Sequence, residues 1–347
     1  MRNIIRKTLQ PSIQYLKKIF LSKSCPSFLQ FAIFKFKYYR RGISILKSLH
    51  NRYGSNFVLN ICPYKGTGDV YLAAAYFKDS KFDKEGNIFC VIGSSNKKIS
   101  ELFQLKAIIL QFTQKEIDSL TRLSFFLGLK EANVNILHHS PLNWHGGIND
   151  RFRNINGLNF TDLIGYGAFN VKDSKRLAKP YFLENDEQTE SMFGVGKLKK
   201  GKTVLLSPYA YTFRNNLPIW CWTKIAKILI SHGYSVCTNV GAAHEEPIEG
   251  TVGIKLEYKQ LKAFLNTAGY FVGIRSGFCD VISSIDCKKI IIYQPFRYGE
   301  SKSPFDYFGL NKTGLCTDAI EISYDSWQDY YNIIDSVIDS IMREEKN

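Results

Sequence analysis

Short apolar runs alternate with amphipathic helical segments along most of this sequence, and this alternation restricts the chain to few folds. In the first half, four apolar runs at 56–62, 87–93, 106–112 and 133–138 are predicted to be strands. Helical segments separate them, and Thr113 is placed to cap one of these helices. Strands that alternate with helices form parallel sheets covered on both faces, so the pattern predicts an α/β architecture.

The alternation restarts after the basic stretch "KLKKGKT", which is predicted to be a linker. A chain of 347 residues, 45% of them hydrophobic, is too long for one ordinary core. We therefore predict two Rossmann-like domains. The predicted divisions are a basic amphipathic segment at 1–50, a first domain at 51–195, a second at 196–318, and a helix at 319–347 that packs back on the first domain.

Positive charge is concentrated at the amino end. Residues 1–50 hold eleven Lys or Arg and no Asp or Glu, out of a net charge of +15 for the whole chain. Phe, Ile, Leu and Tyr alternate with these cations, as in amphipathic segments that lie on anionic membranes. The segment is predicted to bind such a surface; RNA binding and a helix docked on the domain are the alternatives. No apolar run is long enough to predict a transmembrane helix, and no secretory signal is predicted.

The eight cysteines contain no C-x-x-C pair and mostly lie in apolar runs, which favours reduced, buried thiols in a cytoplasmic protein. The histidines of "HHSPLNWH" do not have the spacing of a zinc motif. The sequence therefore predicts neither a metal nor a cofactor. Nucleic acid is not a predicted partner of the folded domains, because their share of the positive charge is small.

Ligands of doubly wound sheets bind beyond the carboxyl ends of the strands, so the loops there hold the candidate residues. Arg275, Ser276 and Gly277 follow an apolar strand and begin a helix that contains Asp280. A cation, a hydroxyl and open backbone amides at a helix start favour a phosphate. The alternative is a helix cap with a surface arginine. Neither a Walker loop nor a G-x-G-x-x-G motif is present.

The matching loop of the first half contains Gly66, Gly68 and Asp69. Asp69 is either a general base that faces a cleft or an N-cap. A histidine after the fourth strand is a further candidate for a base or an acceptor contact. The other candidates are polar residues in loops after predicted strands: His138 and His139 in the first half, and Ser207, Tyr209, Thr212, Arg214, Gly241 and Glu245 in the second.

Several short motifs, in this order, resemble those of the heptosyltransferase-like GT-B glycosyltransferases that build bacterial surface polysaccharide. They are "GTGDVYLAAA", "TFRNNLPIWCW", "FVGIRSGFCDVISS" and "IIIYQP". The likeness covers roughly residues 55–300. Three positions depart from the family pattern. Arg275 stands where the family usually has an aspartate, Asp280 lies near the place of its histidine, and the lysine of its Thr-rich loop has no match, with Arg214 as the candidate substitute.

The resemblance implies a GT-B fold, in which an acceptor domain and a nucleotide-sugar donor domain face a cleft. It implies an inverting, metal-independent sugar transfer, with Asp69 as base and the Arg275 loop stabilising the departing phosphate. A lipid-linked or polysaccharide acceptor and a location on the inner face of the bacterial cytoplasmic membrane follow as expectations. The alternatives are a nucleotide-sugar epimerase or pyruvyl transferase on a similar fold, and a non-catalytic protein that binds membranes or nucleic acid.

Overall fold

The structure is a computed structural model, and it describes residues 26–127, 133–138, 159–171, 177–194, 198–211, 216–295 and 304–343. Side chains are described from residue 36 onward, apart from those of residues 125–127 and 304. Within these ranges, no helix combines the length and the apolar character that crossing a bilayer would require. The described residues fall into two compact units, which are treated separately below.

The first unit contains a four-stranded parallel sheet of β1 (Leu59–Ile61), β2 (Ile88–Ile92), β3 (Ile108–Phe112) and β4 (Val134–Ile136), in the order β3-β2-β1-β4. Buried aliphatic residues such as Leu59 fill the strands. Its helices are α1 (Pro26–Tyr53) and α4 (Gln114–Leu127). The predicted cap of α4 is confirmed: Thr113 and Glu116 bond each other's backbone amides.

Helix α1 packs against α4 along its carboxyl half. Gly42 is buried, and a Cβ there would lie 2.6 Å from the carbonyl oxygen of Ser119, so only glycine fits this crossing. Leu49 is buried in the core of the first sheet. The second half of the basic segment is therefore a helix docked on the first unit, with one face left to solvent.

The second unit contains a six-stranded parallel sheet in the order β10-β9-β8-β5-β6-β7. The strands are β5 (Thr203–Ser207), β6 (Ser235–Asn239), β7 (Val252–Ile254), β8 (Gly269–Ile274), β9 (Lys288–Tyr293) and β10 (Ile320–Ser323). The chain moves outward from β5 to β7 and then restarts beside β5 with β8. This is the strand order of a Rossmann sheet, with its reversal between β5 and β8.

Helices surround this sheet: α7 (Ile219–Ser231), α8 (Leu261–Ala268), α9 (Gly277–Ile282), α10 (Pro304–Phe308) and α11 (Tyr330–Met342). The unit also includes α2 (Thr67–Lys78), most of α3 (Gly93–Glu101), α5 (Phe160–Ile164), which a π-helical turn follows, and α6 (Glu187–Gly194). Gly233, at φ +84°, ends α7 as predicted.

The structure differs from the prediction for residues 319–347. Residues 320–323 form the edge strand β10, and α11 packs against α7 and the second sheet; its predicted packing on the first domain stays a prediction. The apolar face of α11, with Ile334 and Val337, meets Trp222 and Leu229 of α7. The helix period of the sequence predicted this face, but the identity of the surface that it covers depends on tertiary packing. The predicted domain boundaries otherwise stay a prediction.

Candidate functional site

The reversal of strand order places two loops side by side at the carboxyl edge of the second sheet. Ser207 at the end of β5 pairs in register with Gly273 of β8, and Arg275 follows two residues later. Ser207 and Arg275 are both buried. Doubly wound sheets bind their ligands at such a reversal, so this edge is the candidate site of the second unit.

The amino ends of α2 and α9 lie in direct contact, and two glycines make this possible. A Cβ on Gly68 would lie 3.1 Å from Cα of Gly277 and would overlap the Asp280 carboxylate. A Cβ on Gly277 would overlap the backbone nitrogen of Gly68 and lie 2.9 Å from Cβ of Thr67. The sequence predicted both glycines as open loop positions. The structure brings the two loops together as one junction, which we call the glycine junction.

A buried ion pair lies beside the glycine junction. Asp280 Oδ1 accepts a hydrogen bond from Arg275 Nη2 at 2.6 Å, and Oδ2 accepts one from Nη1 at 3.2 Å. Arg275 also donates to the carbonyl oxygens of Phe308, at 2.8 Å, and Ser276. A guanidinium has five N–H groups, and four of them have an acceptor among the described residues. The predicted contact of Arg275 with a phosphate would compete with Asp280 for the guanidinium, and this role stays a prediction.

Asp69 lies in the first turn of α2, half-buried, and the N-cap position belongs to Gly66. Burial and, to a lesser extent, the Asp280 carboxylate raise the pKa of the Asp69 carboxyl from 3.8 to about 7, and Arg275 opposes both effects. A carboxyl with a pKa near neutrality accepts a proton more readily than an ordinary aspartate. The predicted general base therefore has a suitable chemical environment.

Ser276 occupies the N-cap position of α9, but its side chain makes no capping hydrogen bond. Its carbonyl oxygen accepts from the Cys279 amide at 3.0 Å, and its half-buried hydroxyl lies 3.9 Å from the Cys279 sulfur. The hydroxyl is therefore not committed to the helix cap that was the alternative explanation for it.

A second cluster of predicted residues lies in the loops after β5 and β6. The Tyr211 hydroxyl donates to Glu245 Oε1 at 2.6 Å, and the Tyr209 hydroxyl donates to the carbonyl oxygen of Glu246 at 2.5 Å. Glu245 Oε2 accepts from the amides of Gly241, at 2.5 Å, and Ala242, at 2.9 Å. Glu245 thus organises its own loop, and its predicted contact with a ribose would require this carboxylate to exchange partners.

Gln294 and Asn216 belong to this edge and were not among the residues predicted from the sequence. Gln294 directly follows β9, is 1% exposed, and donates from Nε2 to Asn216 Oδ1 at 3.2 Å and to the Arg275 carbonyl oxygen at 3.4 Å. Asn216 donates in turn to the Ala210 carbonyl oxygen at 2.9 Å. This chain of amides connects the loop after β5 with the Arg275 loop. The only signal for Gln294 in the sequence is its place directly after an apolar run.

The remaining predicted residues divide by whether the structure describes them. His138 stacks on Tyr64 with a centroid distance of 5.0 Å. His139, Thr212 and Arg214 lie outside the described residues. Across the described ranges, no three His, Cys, Asp or Glu side chains are grouped to hold a metal ion. The seven cysteines within those ranges are free thiols, and six of them are buried.

Comparison with known proteins identifies the fold. No family model matches the chain, and no curated protein matches it. Among solved structures, ADP-heptose lps heptosyltransferase II of E. coli is similar at a TM-score of 0.54 and 14% identity, covering 83% of this chain and 99% of that one. A glycosyl transferase of family 9 from Veillonella parvula gives 0.51 at 15% identity, covering 83% and 94%.

E. coli heptosyltransferase WaaC with ADP is similar at a TM-score of 0.50 and 11% identity, covering 81% of this chain and 99% of that one. At these identities the likeness concerns the fold and not the individual residues. It agrees with the two parallel sheets and with the strand order of the second one. The chain therefore has the fold of the heptosyltransferase-like glycosyltransferases, as its sequence motifs predicted.

Proposed function

We propose that this protein is a glycosyltransferase that moves a sugar from a nucleotide-activated donor to a hydroxyl of a lipid-linked or polysaccharide acceptor. The observation that carries the proposal is Asp69, a half-buried carboxyl with a pKa of about 7 beside the junction of two helix amino ends. The similarity of fold to heptosyltransferases supports it. The presence of two parallel sheets is consistent with a two-domain GT-B enzyme.

The proposed chemistry is a single displacement at the anomeric carbon. The acceptor oxygen forms a bond to that carbon, its proton moves to an Asp69 oxygen, and the bond from the carbon to the phosphate oxygen breaks. The configuration inverts, and the nucleotide leaves with both electrons of the broken bond. No metal is required, since the cations and amides near Ser276 would stabilise the departing phosphate.

Donor binding is assigned to the carboxyl edge of the second sheet. The diphosphate would bind to the amides at the start of α9, to the hydroxyl of Ser276 and to the fifth N–H of Arg275. The loops that carry Tyr209 and Glu245 would contact the nucleoside. This division follows the sheet, because β6 lies on one side of β5 and the Arg275 loop on the other.

A thermal-shift screen against nucleoside diphosphates and nucleotide sugars tests the proposal. A ligand that binds only the folded state raises the melting temperature by mass action, so at least one nucleotide sugar should stabilise the protein. The best ligand is then incubated with lipid-linked glycan acceptors. Asp69→Asn should reduce transfer about 10²- to 10⁴-fold, the usual contribution of a general base, while the thermal shift by the nucleotide persists.

The controls separate the alternatives. Asp335→Asn removes an exposed carboxylate on α11 and should leave transfer unchanged. Release of a free epimer without any acceptor would identify an epimerase instead. Absence of a thermal shift with every nucleotide and nucleotide sugar would reject the proposed function.

We further propose that the protein binds the inner face of the bacterial cytoplasmic membrane through the basic segment at 1–50. Helix α1 supports this, because its cations Lys37, Arg40, Arg41 and Lys47 are exposed while its opposite face packs on α4. Phe36 is 43% exposed on the same helix. Each cation near an anionic surface contributes roughly 1 kcal/mol.

A charge-removal variant tests the membrane contact without removing the helix packing. Arg40→Gln, Arg41→Gln and Lys47→Gln together should weaken binding to phosphatidylglycerol vesicles at least tenfold, in a salt-dependent manner. The matched control replaces the exposed lysines Lys81, Lys84 and Lys115 by glutamine and should bind like the wild type. Equal binding of both variants would contradict this contact.

A further inference from the structure

The ion pair beside the glycine junction differs from an ordinary structural pair because a candidate base faces it. Arg275 and Asp280 are 5% and 3% exposed, and their two hydrogen bonds fix both groups. The Asp280 carboxylate lies against Gly68, the residue directly before Asp69. A side chain on Gly68 would overlap this carboxylate. The backbone that carries Asp69 is thus in contact with one member of the pair.

Within the described part of the chain, the titratable groups that act on this cluster come from α2, α9 and the second sheet. Tyr71 and Asp69 contribute from α2, Cys279 and Asp280 from α9, and Tyr293, with its partner Glu321, lies near Arg275 from the sheet. Burial holds the pKa of the Tyr71 and Tyr293 hydroxyls far above their ordinary values and raises that of the Cys279 thiol to about 11. These three groups are neutral at pH 7.

The charges that act most strongly on Asp69 are therefore those of Arg275 and Asp280. They act in opposite directions on the Asp69 carboxyl, since the carboxylate disfavours its ionisation and the guanidinium favours it. Burial pushes the pKa of Asp280 up, while Arg275 pulls it down through two N–H donors. The pair is balanced in charge as long as both members are present.

We propose that Arg275 and Asp280 are positioning residues for Asp69. The paired charges of these two residues at the glycine junction determine the protonation state of Asp69 when it meets the acceptor. Neither residue touches the reacting atoms in this role. The inference rests on the proposed function only in taking Asp69 as the base. It assigns a function in tuning this base to Arg275 and Asp280, which both depart from the family pattern.

The test is a direct titration of Asp69 in the full chain, without nucleotide, sugar or acceptor. Aspartate carboxyl carbons are labelled with ¹³C, and the Asp69 signal is identified as the one absent from Asp69→Asn. Its midpoint is followed by NMR in the wild type, Asp280→Asn, Arg275→Gln and the double variant Arg275→Gln/Asp280→Asn. Asp286→Asn, an exposed aspartate in the turn after α9, serves as the matched control.

The two single variants should move the midpoint in opposite directions. Asp280→Asn leaves the cation alone and should lower the midpoint by at least ~1 pH unit, and Arg275→Gln should raise it by a similar amount. The double variant should return to within about half a pH unit of the wild type, because it removes both charges at once. The control should not move it.

A purely structural pair would lower the melting temperature of the single variants and leave the Asp69 midpoint in place, and this result would overturn the proposal. If one single variant does not fold, the other decides, because the proposal predicts a shift of known direction for each of them. A shift of more than about one pH unit in the double variant would count against charge balance. A failed nucleotide screen would reject the transferase and leave this titration valid.

Discussion

The second unit contains two polar clusters that differ in burial. One is the glycine junction, and the other is formed by Tyr209, Tyr211 and Glu245 in the loops after β5 and β6. At the junction, Arg275 and Asp280 are almost fully buried, and the approach of two helices excludes any Cβ on Gly68. In the loop, Tyr211 is 64% exposed, and Glu245 is bound to its own backbone. The hydrogen bonds are of similar length in both clusters.

The difference shows that contact distance alone does not determine what a polar pair contributes. Solvent screens the exposed loop, so its hydrogen bonds change stability little and leave its groups free to exchange partners with a ligand. Burial at the junction disfavours the charged form of Asp69 and strengthens its interactions with neighbouring charges, and the pKa of Asp69 is raised as a result. The following variants test this contrast.

Breaking the buried pair should have the largest effect on stability. Asp280→Asn leaves the Arg275 guanidinium buried without its counter-ion, and because arginine cannot lose its charge, the free energy of unfolding should fall by about 3–5 kcal/mol. Urea denaturation measures it. The matched control is Asp306→Asn, whose exposed pair with Lys312 at 3.5 Å should contribute under about 1 kcal/mol. Equal losses in the two variants would remove the contrast.

Removing the charge of Asp69 should stabilise the protein at high pH. The folded pKa of about 7 lies above the ordinary 3.8, so the stability that protonation provides is complete below pH 4 and is lost as the pH rises through 7. Relative to the wild type, Asp69→Asn should therefore gain on the order of 2 kcal/mol between pH 4 and pH 8.

Melting temperatures across this pH range measure the gain. Asp335→Asn, at an exposed position, should follow the wild-type curve. If Asp69→Asn were destabilised equally at all pH values, Asp69 would be a helix-stabilising residue rather than a strained base.

A methyl group at the glycine junction should separate α2 from α9. The Cβ of Gly277→Ala would overlap the backbone of Gly68, which cannot rotate away, so a loss of about 1–3 kcal/mol is expected. Gly194→Ala in α6 is the control, since no heavy atom lies within 4 Å of its Cβ position. The free energies of unfolding of the two variants are compared by urea denaturation. An unchanged value for Gly277→Ala would show that the two helices can move apart at little cost.

The smallest effect should come from the exposed cluster. Tyr211→Phe removes one hydrogen bond to Glu245 and should change the free energy of unfolding by less than about 1 kcal/mol. Tyr181→Phe, 55% exposed, is the control. A loss in Tyr211→Phe as large as that in Asp280→Asn would show that this loop is as tightly coupled to the fold as the junction.

The sequence by itself determined the local elements. Period and turn residues predicted β1 to β4 and the strands β5, β6, β8 and β9, because side-chain direction along a strand or helix depends only on neighbouring residues. The edge strands β7 and β10 were missed because neither is a buried apolar run: two of the three residues of β7 are exposed, and β10 contains Glu321. The loops that carry Asp69 and Arg275 were also found, because strand ends and helix starts locate them.

Only the tertiary structure decided what these loops do to each other. Gly68 and Gly277 lie far apart in the chain, and nothing local in either loop specifies their contact. The pairing of Arg275 with Asp280, the pKa of Asp69 and the docking of α11 on the second sheet follow from which surfaces exclude water together. Desolvation depends on all neighbours at once, and for that reason it cannot be read from one stretch of sequence.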